Sequence, residues 1–160
     1  MTISVGDRLP EATLMTMTAD GPNQLSTGDV FAGKTVALFA LPGAFTPTCS
    51  AKHLPGFIEK AAEIKGKGVD TIACLSVNDV FVMDAWGKSQ GAGDDVIMLA
   101  DGNAQFAKAI GLEFDGSGFG MGVRAQRFSM IVKDGVVAEL NVEEPGAFEV
   151  SSADHILGQL

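Results

Sequence analysis

Residues Val36 to Leu41 are almost wholly apolar, and the run stops at Pro42-Gly43. A short apolar stretch that does not alternate with polar residues is the pattern of a strand buried on both faces. Such a strand belongs in a largely parallel sheet covered by helices on each side, so the rest of the chain must supply both. A second stretch of this kind, Val69 to Val77, and a third, Val96 to Ala100, follow. The chain has 160 residues, 46% of them hydrophobic and 19% charged, enough for one domain with a proper core and incompatible with disorder.

Helices are expected between these strands. Thr48 to about Lys65 reads as one, with Leu54, Phe57, Ile58 and Ala61 on a single face and Pro55 set to kink it. Val80 to Ser89 reads as another, capped by Asn78 or Asp79, and Asn103 to Ile110 as a short third. Ile3 to Leu14 reads as extended, 19–34 as turns, and 115–122 as a flexible glycine-rich loop. Arg127 to Lys133 and Val136 to Val142 flank Asp134-Gly135, a two-residue hairpin signal, and Ser152 to Gln159 closes the chain as a helix. The order implies an α/β fold with a central mixed sheet flanked by helices. A thioredoxin-like arrangement fits it, and pattern alone also allows a small flavodoxin-like one.

Twenty acidic against eleven basic residues give a formal charge of −9, which disfavours nucleic acid and anionic membrane surfaces as partners. No apolar run approaches the length of a bilayer, and the first residues carry no secretory pattern, so a cytoplasmic location is expected. The two cysteines, Cys49 and Cys74, are too few for a disulfide scaffold. With His53 and His155 they match no zinc spacing, and no metal or other cofactor is expected.

Chemistry in open α/β sheets gathers beyond the carboxyl ends of the parallel strands, where residues 42–49 fall. Cys49 then lies in the first turn of a helix, where free backbone N–H groups favour a thiolate, the nucleophilic form of the side chain. Position alone also fits a small buried residue. Arg127 opens a strand expected to run antiparallel to the others, which puts it at the same sheet edge, able to approach Cys49 and bind an oxygen-bearing substrate. Arg124 competes for that role from a loop. Thr46 can orient a substrate oxygen or simply close a turn, and Pro42 and Pro47 stiffen the loop.

Pro42-x-x-x-Thr46-x-x-Cys49 resembles the signature of the peroxiredoxins, and the string Pro42 to Ser50 resembles their type II subgroup. That subgroup includes an animal mitochondrial and peroxisomal enzyme with plant and bacterial relatives. The resemblance extends over Val5-Gly6-Asp7-x-Leu9-Pro10, His53-Leu54-Pro55-Gly56-Phe57, Cys74-Leu75-Ser76-Val77-Asn78-Asp79 and Arg127-Phe128-Ser129-Met130. It implies a thioredoxin-like fold over 1–160 and reduction of hydrogen peroxide and alkyl hydroperoxides. It implies that Cys49 is the peroxidatic cysteine, that Thr46 and Arg127 bind the peroxide oxygens, and that Pro42 shields the sulfenate. His53, one turn beyond Cys49, is expected to pack or hydrogen-bond rather than act as a base, and His155 to be structural or exposed.

The animal relatives carry a resolving cysteine near the C-terminus, where this chain has Val150-Ser151. Cys74 is expected in mid-strand, about 10 Å below the edge that holds Cys49. A disulfide needs Cα atoms within roughly 7 Å, so Cys74 reads as a core residue in the folded state, with a resolving role after local unfolding as the alternative. An external thiol, glutathione with glutaredoxin or thioredoxin, is therefore expected to recycle Cys49. The competing readings are a peroxide sensor that passes oxidation to a partner, and a binding module with an unreactive Cys49. A homodimer is expected, with Phe45, Phe81 and Trp86 as a candidate apolar patch.

Overall fold

The computed structural model describes residues 2–160. Its centre is a seven-stranded sheet. In chain order the strands are β1 (Thr13–Thr18), β2 (Gly21–Ser26), β3 (Thr35–Ala40), β4 (Thr71–Ser76), β5 (Ile97–Ala100), β8 (Phe128–Lys133) and β9 (Val136–Val142). In space they run β2-β1-β5-β4-β3-β8-β9. The three apolar strands β3, β4 and β5 are mutually parallel at the centre, and β1, β2, β8 and β9 add antiparallel margins. Two short strands, β6 (Glu113–Asp115) and β7 (Val123–Ala125), form a separate hairpin.

Helices cover both faces: α1 (Thr27–Phe31), α2 (Leu54–Glu59), α3 (Ala61–Gly66), α4 (Val80–Gln90), α5 (Gln105–Ala109) and α6 (Ala153–Gln159). Alternation along β3 sorts the core into two layers. Val36, Leu38 and Ala40 pack with Phe31, Phe106 and Ile110, while Ala37 and Phe39 pack with Leu54, Phe57, Ile64, Met83 and Trp86. Cys49 and Cys74 both belong to the second layer.

Three expectations need correction. Residues 19–34 hold β2 and α1 rather than turns alone. Strand β2 is an edge strand with no buried residue, so it lacks an apolar alternation and is defined by its pairing with β1 from Thr13–Ser26 to Thr18–Gly21. Helix α1 is held by a capping box in which Ser26 and Asp29 satisfy each other's backbone N–H groups. Residues 115–122 are also more ordered than expected, with a 3-10 turn at Ser117–Phe119 between β6 and β7. The helix expected over 48–65 is three pieces: a π-helical turn at Cys49–His53, then α2 and α3. Pro55 accounts for the first break, because it has no N–H for an upstream carbonyl and its ring crowds the preceding turn. The chain widens to i→i+5 bonding, Leu54 N–H donating to the Cys49 carbonyl, and resumes as α2 with Pro55 at its start.

Candidate active site

The wide turn at Cys49–His53 brings residues four apart closer to vertical alignment than an α-helix would. Cys49 and His53 therefore face the same neighbour. That neighbour is Arg127, one residue before β8. Its position follows from register: Ala40, the last residue of β3, pairs with Phe128, the first of β8. The chain leaving β3 and the chain entering β8 thus meet at one edge. There Arg127 Nη2 donates to Cys49 Sγ at 3.1 Å and Nη1 lies 2.8 Å from His53 Nδ1. Arg124 is elsewhere. Its guanidinium donates to the Pro42 carbonyl at 3.3 Å and the Met121 carbonyl at 2.9 Å, so it ties the β6–β7 hairpin to the loop after β3.

His53 has one possible tautomer in this setting. The guanidinium can only donate, so Nδ1 accepts; the Ser151 carbonyl, 2.9 Å from Nε2, can only accept, so Nε2 carries the proton. The ring is fully buried among Phe39, Phe57 and Phe148. Burial lowers its pKa from 6.5 to about 3, and the Arg127 cation pushes the same way against the weaker pull of Ser151 and Glu143. His53 is thus a neutral imidazole whose lone pair is already engaged, in keeping with a hydrogen-bonding role and not with a base.

This sets the direction of one pH effect. Below pH 6.5 the unfolded chain takes up a proton at His53 that the folded chain refuses. Stability therefore falls as pH drops toward 3, by up to about 1.4 kcal/mol per unit. Urea midpoints measured between pH 7 and 5.5, above the ordinary carboxylate range, should decline for the parent and stay flatter for His53→Gln. Identical slopes for the two would refute the buried neutral imidazole.

The loop after β3 is pinned from three sides. Thr46 Oγ1 donates to the Gly43 carbonyl at 2.6 Å, Ala44 N–H donates to Asn78 Oδ1 at 3.0 Å, and Arg124 holds the Pro42 carbonyl. Asn78 is fixed in turn by Ser76 Oγ, 2.6 Å away, while Asp79 is the residue that caps α4. A side chain at Gly43 would meet Arg124 Nη1 at 3.0 Å and Thr46 Cγ2 at 3.2 Å, so only glycine fits without displacing its neighbours. Phe45 at the loop tip has φ +64°, a strained value for a bulky residue.

Cys74 lies in β4; it and Cys49 are both fully buried and both free thiols. Burial pushes the Cys74 thiol well above its ordinary value, with nearby Cys49 adding to the rise. Trp86 is not part of a surface patch. It is fully buried in α4 and its Nε1 donates to Ser50 Oγ at 3.0 Å, whereas Phe45 and Phe81 are 57% and 64% exposed. His155 is half-buried on α6. Asn78, Ser151 and Phe148 were not singled out from the sequence for the site. Each acts through a backbone contact or a ring face that no spacing encodes.

The redoxin family profile matches residues 4–157. Peroxiredoxin-2E-2, chloroplastic, of Oryza sativa subsp. japonica is 55% identical over 164 residues, 99% of this chain and 73% of that protein. This chain is a peroxiredoxin. Peroxiredoxin-2E, chloroplastic, of Arabidopsis thaliana is 51% identical over 168 residues, 99% of this chain and 69% of that protein. Reduced Prx3 from Vibrio vulnificus, solved in complex with hydrogen peroxide, superposes with a TM-score of 0.96 at 54% identity, covering 99% of each chain. The peroxiredoxin has the thioredoxin-like fold and the type II affinity expected from its motifs. It is a thiol-dependent peroxidase, and these relatives favour that activity over a sensor. The expected cytoplasmic location is corrected: the two plant relatives are named chloroplastic. Lack of a secretory pattern separates secreted chains from the rest and does not choose among reducing compartments.

Proposed function

We infer that Cys49 attacks the peroxide and that Arg127, Thr46 and Pro42 build the pocket around it. The observation that carries this reading is the Arg127 guanidinium, which donates to the Cys49 sulfur at 3.1 Å while His53 fixes its other arm at 2.8 Å. The Cys49 thiolate forms a bond to one peroxide oxygen and the O–O bond breaks. The other oxygen leaves with a proton as water or alcohol, and the sulfur is oxidised to sulfenic acid. Arg127 offers N–H donors to the oxygen on which charge grows. The Thr46 hydroxyl proton is committed to the Gly43 carbonyl, so its oxygen is free to accept the O–H of the incoming peroxide. Pro42 and Pro47 keep the loop stiff over the sulfur. The redoxin match over residues 4–157 supports reading the chain as one catalytic domain.

The sulfenic acid is reduced by an external thiol. Val150 and Ser151 stand where the animal relatives have a resolving cysteine, and Cys74 is held within strand β4 with its thiol pushed up by burial. Cys49 is fully buried in this structure, so the turn that carries it opens to admit glutathione. Its thiolate forms a mixed disulfide with Cys49 and releases water; glutaredoxin then takes up the glutathionyl group and frees Cys49. Thioredoxin is the alternative reductant.

Intact-mass spectrometry after one equivalent of peroxide should show one added oxygen, replaced by one glutathione when that thiol is supplied. A loss of two hydrogens mapped to Cys49 and Cys74 would overturn the external-thiol route. The exposed Phe45 and Phe81 support a homodimer through the edge beside the Cys49 loop. Sedimentation at micromolar concentration should give twice the chain mass, and a monomer there would dispose of the dimer.

A further inference from the structure

The strongest feature outside the reacting groups is a carboxylate with many donors. Glu143 follows β9 directly and its side chain is only 6% exposed. Its Oε2 accepts from the N–H groups of Glu149, Val150 and Ser151 at 2.8, 2.9 and 2.8 Å and from Ser151 Oγ at 2.7 Å, while Oε1 shares the Glu149 N–H at 2.9 Å. Burial opposes the charge, but these bonds outweigh it and hold the carboxyl below its ordinary value. No cation pairs with it among the described residues. The whole charge is spent on gathering the backbone of residues 149–151.

That backbone touches the reaction centre. The Ser151 carbonyl takes the His53 Nε2–H, and His53 Nδ1 takes Arg127 Nη1. Phe148, in the same loop, sets its ring edge-on to His53 with centroids 5.0 Å apart, and the Arg127 guanidinium lies 5.8 Å from its centroid. A ring face alone leaves a guanidinium free to turn, whereas the hydrogen bond to Nδ1 fixes which N–H meets the sulfur.

We propose that Glu143 is a positioning residue for the peroxide reaction: by clamping residues 149–151 it fixes the Ser151 carbonyl, through it the tautomer and tilt of His53, and through His53 the aim of Arg127 at the Cys49 sulfur. This rests on the reading of Cys49 and Arg127 as the reaction centre. Glu143→Gln keeps the shape, but its amide replaces one acceptor oxygen with a donor in a nest of donors, so the clamp loosens.

The test is the rate of peroxide reaction of the reduced protein, by stopped flow, for the parent, Glu143→Gln, Arg127→Gln and the double variant. Glu143→Gln should slow the reaction on the order of tenfold to a hundredfold, the range for misplacing a reacting group. The double variant should be no slower than Arg127→Gln alone, because a residue that works through Arg127 has nothing left to lose. Long-range proton–nitrogen spectra should show His53 protonated at Nε2 in the parent and in mixed tautomers in Glu143→Gln. Equal slowing by Glu143→Gln in both backgrounds, or none, overturns the proposal. If Arg127→Gln reacts at the parent rate, the reading of the site fails instead. Should Glu143→Gln not fold, Ser151→Ala, which deletes one donor to the carboxylate, carries the test. A few-fold slowing confined to the background that retains Arg127 supports the clamp, and an unchanged rate overturns it.

Discussion

Cys49→Ser should abolish peroxide turnover, and Cys74→Ser should keep most of it. A serine hydroxyl in the same turn would not ionise near neutral pH and could not be carried through a sulfenic acid, so no route to the product remains. Cys74 has the same chemistry available and the wrong surroundings. It shares the packed layer of Phe39, Leu54 and Trp86 with Cys49, but it is fixed within β4, burial pushes its thiol up, and the Arg127 N–H that meets a sulfur meets that of Cys49. Its replacement by serine should show mainly in stability, at about 1–3 kcal/mol for a hydroxyl buried in an apolar cluster. Coupled peroxidase assays and urea melts on both variants check this. Equal loss of activity in the two would defeat the assignment of the nucleophile.

Arg127→Gln should slow the reaction with peroxide by on the order of a hundredfold or more, the scale for deleting a donor aimed at developing charge. The guanidinium is the group that touches both the sulfur and His53. A glutamine amide is neutral and too short to span both. Arg127→Lys should recover little of the loss, since one ammonium nitrogen on a flexible stem lacks the rigid planar fork whose two nitrogens meet the sulfur and the imidazole separately. Stopped-flow traces of each reduced variant give the rates directly. An Arg127→Gln protein that reacts as fast as the parent would remove Arg127 from the site.

Much of this site was legible in residues. The unbroken apolar run before Pro42 implied a central parallel strand, and a strand that opens at Arg127 and runs antiparallel to it brings Arg127 to the same edge. That inference depends only on strand direction and was carried by the pairing of Ala40 with Phe128. What stayed hidden has a common cause. The π-helical turn depends on how a missing N–H at Pro55 is absorbed, and a sequence shows the omission without the remedy. The Asn78 bond to the Ala44 N–H and the Ser151 bond to His53 each use a backbone atom, which every residue type carries. Strand β2 pairs fully while burying little, so the hydrophobic pattern has nothing to report.

The bond from Trp86 to Ser50 gives the molecule an optical reporter of its own chemistry. Trp86 is the one tryptophan in the chain, and its indole N–H is held by the residue next to Cys49. A loosening of that turn that moves Ser50 away from α4 should lengthen this bond and change the surroundings of the ring. The emission of a single indole then shifts with the exposure of the turn. Because Trp86 lies on α4 while Cys49 lies on the π-helical turn, the signal registers motion of one element against the other. Emission of the unlabelled protein should therefore change when peroxide and then thiol are added, and Ser50→Ala, whose indole starts out unheld, should show a smaller change.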